Sequence, residues 1–142
     1  MVIRVIIGAL SLLGLLLGAG CALGGNRPPR LSLALPFGAV DRIGDPQSDG
    51  TLEVTGWVLS EDPVYTVSLY IDRHYVTSAT LQQPRPDVNQ AYPAFGSIHA
   101  GWRIDFDTTI FPGEHEILVQ ARTANGAVRD LGVKRMRFRS RS

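Results

Sequence analysis

From Leu31 onward, apolar and polar residues alternate with a period of two in one run after another, and nothing sustains the 3.6-residue period of a helix. Leu52, Val54, Gly56 and Val58 alternate with Thr51, Glu53, Thr55 and Trp57. Val67, Leu69 and Ile71 alternate with Ser68, Tyr70 and Asp72, and the Asp72-Arg73-His74 turn leads into a second run, Tyr75 to Leu81. These two runs read as a hairpin. Trp102, Ile104 and Phe106 alternate with Arg103, Asp105 and Asp107. His115, Ile117, Val119 and Ala121 do so with Glu116, Leu118, Gln120 and Arg122. Asn125-Gly126, a strong hairpin signal, joins that run to a last strand carrying Leu131, Met136 and Phe138. With an opening strand near Leu35 to Val40, seven strands are expected. Short strands with turns every ten or so residues predict an all-β antiparallel sandwich.

One stretch breaks the rhythm. Gln82 to Ala100 is a long connection containing Pro84, Pro86 and Pro93, and Asp87 to Tyr92 suits one helical turn after Pro86. Connections of this length in compact domains carry function or pack as a lid. Alternation puts Trp57 opposite Leu52, Val54 and Val58, outside the core, so the connection is expected to cover it. Trp102 is expected inside. Arg85 and Asp87, flanking Pro86, read first as a clamp on their own loop by a charge-assisted hydrogen bond, and second as a polar pair offered to a ligand.

The N-terminus differs in kind. Arg4 precedes an uncharged apolar run from Val5 to Leu17, then small residues, then Cys21, the one cysteine of the chain. That order is a secretory signal. Leu17-Gly18-Ala19-Gly20-Cys21 resembles the lipobox of bacterial lipoproteins, although Gly18 stands where the family prefers Leu. The resemblance implies cleavage after residue 20 and acylation of Cys21. Residues 1–20 are then a signal peptide, 21–30 a tether rich in Gly, Pro and polar residues, and 31–142 the folded domain. An uncleaved span over Val2 to Leu23 and an ordinary secretory signal remain open. Each puts the domain outside the cytoplasm.

Further landmarks follow in order. They are Pro36-Phe37-Gly38-Ala39-Val40-Asp41, Gly56-Trp57-Val58-Leu59, Tyr70-Ile71-Asp72, Arg85-Pro86-Asp87-Val88 with Tyr92-Pro93, Gly101-Trp102, Asp107-Thr108-Thr109 and Gly113-Glu114-His115. Their order and spacing resemble the bacterial Ig-like modules of extracellular and envelope proteins, over roughly Leu35 to Arg139. The resemblance implies a sandwich used as a spacer or adhesion module, with no catalytic residues to carry over.

Charge and chemistry add little. The 142 residues carry a formal net charge of +1, which falls to about zero without Arg4, so no field steers nucleic acid. Beyond Cys21 there is no thiol for a disulfide, redox pair or cysteine zinc site. Asp41, Asp45 and Asp49 share one loop but lack the dense spacing of a calcium loop, and read as a solvated turn. His74, His99 and His115 have no metal-ligand spacing, and His115 reads as a half-buried strand residue held by a hydrogen bond. Ser97 near His99 lacks a nucleophile elbow, and Asp105 and Asp107 share an outward strand face. No cofactor, metal or enzymatic activity is expected.

The expected function is a non-enzymatic, membrane-anchored module of the bacterial envelope that binds an envelope protein or polysaccharide. The alternative is a carbohydrate-binding module using exposed Tyr65, Tyr70, Tyr75 or Tyr92. Candidate surface residues are Arg85, Asp87 and Tyr92, together with Arg135, Arg137, Arg139 and Arg141, which line one side of the last strand. Those arginines read mainly as a solvated edge, and secondarily as a stripe for an anionic membrane.

Overall fold

Alternating runs become strands because each can turn its apolar positions to one side and leave the polar ones in water. The computed structural model describes residues 34–47 and 49–140. Its strands are β1 (Phe37–Ile43), β2 (Thr51–Leu59), β3 (Val64–Ile71), β4 (His74–Ser78), β5 (Thr80–Gln83), β6 (Gly101–Asp107), β7 (Gly113–Thr123) and β8 (Val128–Phe138). A short helix, α1 (Pro86–Ala91), and a 3₁₀ turn, Pro93–Phe95, lie between β5 and β6. One sheet has the order β1-β2-β6-β5 and the other β4-β3-β7-β8, and every pair is antiparallel. In immunoglobulin lettering these orders are A-B-E-D and C′-C-F-G. The domain is an Ig-like antiparallel β-sandwich.

The inward faces meet in one core. Leu52, Val54 and Val58 of β2 and Trp102, Ile104 and Phe106 of β6 face Val67, Leu69 and Ile71 of β3 and Ile117, Val119 and Ala121 of β7. None is more than 7% exposed. Trp102 points inward as expected, and Gly56 on the neighbouring strand is what admits it. A Cβ at Gly56 would stand 2.3 Å from the indole Cζ2 of Trp102.

Two boundaries differ from expectation. The run from Tyr75 to Leu81 is not one strand: β4 pairs with β3, and β5 pairs with β6 in the opposite sheet. Ala79 is where the chain changes layer, its amide still bonding Val67 O at 2.7 Å while its side chain rests on the core. Among the described residues the strand count is therefore eight. The first strand also starts two residues late, at Phe37, and runs on to Ile43. Buried Pro36 has no amide to give the ladder, and a bulge between Val40 and Arg42 lets pairing continue past Asp41. Cys21, the tether and Arg141 lie outside the described residues.

Candidate interaction surfaces

The β5–β6 connection folds onto the outer face of the first sheet. Val88 of α1 is buried with Leu59 and Ala100, against half-buried Phe37 and Trp57. Above Trp57 lies Tyr92, ring centroids 5.5 Å apart and planes 32° from parallel. Phe37 meets Trp57, Tyr92 and Phe95 edge-on at 5.8, 5.2 and 5.3 Å. Trp57 thus has the cover that alternation required. The outer rings are open: Tyr92 is 40% and Phe95 36% exposed, with Ile98 of the same connection and Leu35 beside Phe37 in sequence also exposed.

Arg85 fastens this cap. Its Nε and Nη2 donate to the two carboxylate oxygens of Asp87 at 2.8 and 2.7 Å, and Nη1 donates to Asp41 Oδ2 on β1. The planar fork matches a carboxylate as a lysine could not. The guanidinium holds the Asp87 carboxyl down to about 2, chiefly through these hydrogen bonds, and Arg85 is itself raised, first by the bond to Asp87. The structure has the expected clamp and adds Asp41, which β1 brings to it. Asp41 is therefore an ion-paired strand residue and not part of one solvated loop with Asp45 and Asp49; Asp49 accepts the Thr51 amide at 2.9 Å.

The second surface is the outer face of the other sheet. Register sets Tyr75 of β4 opposite Tyr70 of β3, Tyr70 opposite Leu118 of β7, and Leu118 opposite Val133 of β8. Four large side chains thus cross all four strands in one row on the solvent side. Tyr75 is 60% and Val133 58% exposed, and the middle pair is half-buried. A polar row runs alongside: Ser78 and Ser68 hydroxyls are 3.3 Å apart, Tyr75 OH is 3.0 Å from Ser78 Oγ, and Gln120 Nε2 donates to Asp130 at 2.9 Å. The Tyr70 and Tyr75 rings stand at 76° to each other. Tyr65, 72% exposed, stands near the start of β3.

Beyond the apolar row, Glu116 faces Arg135 and Glu114 faces Arg137 across the β7–β8 ladder. Each pair has its nearest nitrogen and oxygen 3.7 Å apart. The exposed arginines therefore alternate with partners, while Met136 and Phe138 between them turn toward the core. Arg137 and Arg139 also flank an open cleft of about 750 Å³ with Asp45, Asp49, Thr108 and Thr109.

His115 is half-buried, as its place in the alternation implied. Nδ1 donates to Asp72 Oδ2 at 2.5 Å and Nε2 lies 3.2 Å from Pro112 O. Both nitrogens face acceptors, which raises its pKa, Asp72 being the main cause. Asp72 also accepts the Glu116 amide at 3.0 Å, and that bond is the first reason its own pKa is lowered. Asp72 and Arg73 turn the chain in left-handed backbone, φ 49° and 68°, so the carboxylate secures a turn that would suit Asn-Gly better. Ser97 Oγ accepts the His99 backbone amide at 3.3 Å. Asp105 is taken up by Arg103, and Asp107 by Thr109.

No family model matches the chain, and no curated protein matches it. Among solved structures it is similar to the fibronectin(III)-like modules of Clostridium thermocellum CbhA, with 14% identity and a TM-score of 0.49. That match covers 75% of this chain and 48% of the other, so the chain spans about half of that structure's length.

Proposed function

We propose that this chain is a non-enzymatic interaction module of the bacterial envelope, held to a membrane by acylated Cys21. Its Ig-like sandwich offers the outer face of β4-β3-β7-β8 to an envelope protein. The observation that carries the reading is the row Tyr75, Tyr70, Leu118 and Val133. One strand face in water needs no large apolar residues, yet register aligns four of them across the whole sheet. Interface cores favour tyrosine over lysine or glutamate, and a flanking row of hydroxyls and carboxamides supplies a polar rim. The carbohydrate reading draws on Tyr75, whose hydroxyl joins that polar row. Edge-on Tyr70 and Tyr75 do not make the flat platform that stacks on a sugar ring, so a protein partner is favoured.

Crosslinking in the native envelope tests this with the full chain and with Tyr75→Ser/Val133→Ser. Both side chains are largely in water, so the double variant is expected to keep its fold. A protein crosslinked by the wild type and lost in the variant supports the reading. Equal crosslinking by both overturns the assigned face. Retention on envelope polysaccharide that the variant loses, with no protein crosslinked, favours the carbohydrate alternative.

A further inference from the structure

The aromatic cap stands where the chain enters the domain. Ala34 precedes Phe37 by three residues, and Phe37 touches Trp57, Tyr92 and Phe95. Cys21 is only thirteen residues before Ala34, so even a fully extended tether spans no more than about 45 Å.

The composition of the cap is equally pointed. The outer face of a two-layer sheet is ordinarily polar, whereas this one carries Phe37 and Trp57, with Tyr92 and Phe95 of the connection packed against Phe37 and Tyr92 also over Trp57. The connection adds Ile98 and the entering chain adds Leu35, both about half exposed. Tyrosine and tryptophan pair an apolar ring with a polar handle, the make-up that settles at the headgroup level of a bilayer. The ionic groups at the edge satisfy one another, since Arg85 is shared between Asp87 and Asp41. Among the described residues, no uncompensated cationic cluster there calls for anionic lipid.

We infer that the Phe37–Trp57–Tyr92–Phe95 cap rests on the lipid–water interface of the membrane that anchors the chain, with zwitterionic phospholipid as its ligand. The inference builds on the anchored reading above and adds an orientation to it. The β5–β6 end of the sandwich faces the bilayer, and the opposite end faces away. Ile110, 67% exposed in the turn between β6 and β7, belongs to that opposite end and serves as the reference position.

The test uses the intact chain, produced with its own N-terminal segment and reconstituted into phosphatidylcholine/phosphatidylethanolamine vesicles. A photoreactive benzoylphenylalanine replaces Phe95 in one sample and Ile110 in another. Flotation is scored first; irradiation and intact-mass measurement follow. Phospholipid adducts at position 95, several-fold above those at 110, are the expected result. A chain that floats but gives equal adducts at both positions overturns the inference and leaves the anchor standing. Crosslinked dimers at position 95 without lipid adducts assign the cap to a second copy and overturn it likewise. A chain that fails to float overturns the anchor and the inference together. Near-ultraviolet circular dichroism matching the unsubstituted chain ensures that a misfolded sample is not scored.

Discussion

At the scale of single residues, His115 and Asp72 make one clip with two opposite titrations. The imidazole is raised by Asp72, so its contribution to stability is fully present below the ordinary histidine value of 6.5. It is lost as pH rises through the raised value. Asp72 is lowered, so its contribution is present above the ordinary 3.8 and lost as pH falls through the lowered value. Stability owed to the clip is therefore greatest between 3.8 and 6.5. Urea midpoints measured across that range and above it should fall on the alkaline side for the wild type. His115→Gln should flatten that alkaline fall, and an unchanged profile would remove the clip from the account. Gly56 makes a second single-residue case. Alternation placed it with the core positions, but only the structure shows that its missing Cβ is where the Trp102 ring lies. Gly56→Ala should destabilise by about 1–3 kcal/mol through overpacking, and Trp102→Ala by about 3–5 kcal/mol through the cavity it leaves, both read from denaturant unfolding.

At the scale of elements, the cap is held by one guanidinium between α1 and β1. Arg85→Ala should speed amide exchange through residues 86–98 while leaving β2, β3, β6 and β7 protected, because the two-sheet core does not involve Arg85. Arg85→Lys should resemble the alanine variant, since an ammonium lacks the fork that bonds both oxygens of Asp87. Protection equal to wild type in either variant would show that apolar packing alone holds the cap. The sequence made parts of this element legible: Trp57 on the polar side of its strand announced a cover, and Pro86 with Asp87 announced a turn of helix. Asp41 was not legible as a partner, because the bulge that aims it at Arg85 is a property of pairing between strands. The row on the other sheet was half legible for the same reason. Leu118 stands visibly among polar neighbours, but Val133 falls opposite it only after a register shift between Val119 and Gln120, and no periodicity within β8 encodes that shift.

At the scale of the whole domain, the position of the arginines relative to the entering chain decides what they can touch. Phe37 and Ile43 mark the two ends of β1, about 20 Å apart at ~3.3 Å per residue. Ala34 and the cap are at the first end. Arg137 and Arg139 share a cleft with Asp45 and Asp49, beyond the second. An anchor that holds the cap to a bilayer turns those arginines away from it. Charge works in the same direction: Arg135 and Arg137 sit across the ladder from Glu116 and Glu114, which leaves Arg139 as the least compensated of the three. One basic group near an anionic surface contributes about 1 kcal/mol, and physiological salt screens charges beyond about 8 Å. Residues 31–142 expressed alone should therefore float equally with anionic and zwitterionic vesicles near 0.15 M salt. Converting Arg135, Arg137 and Arg139 to Gln should change neither result. Selective flotation with anionic vesicles, weakened by salt and abolished in the triple variant, would instead make the last strand the membrane contact. The domain would then lie with its far end against the bilayer and the aromatic cap turned away from it, the reverse of the orientation inferred above.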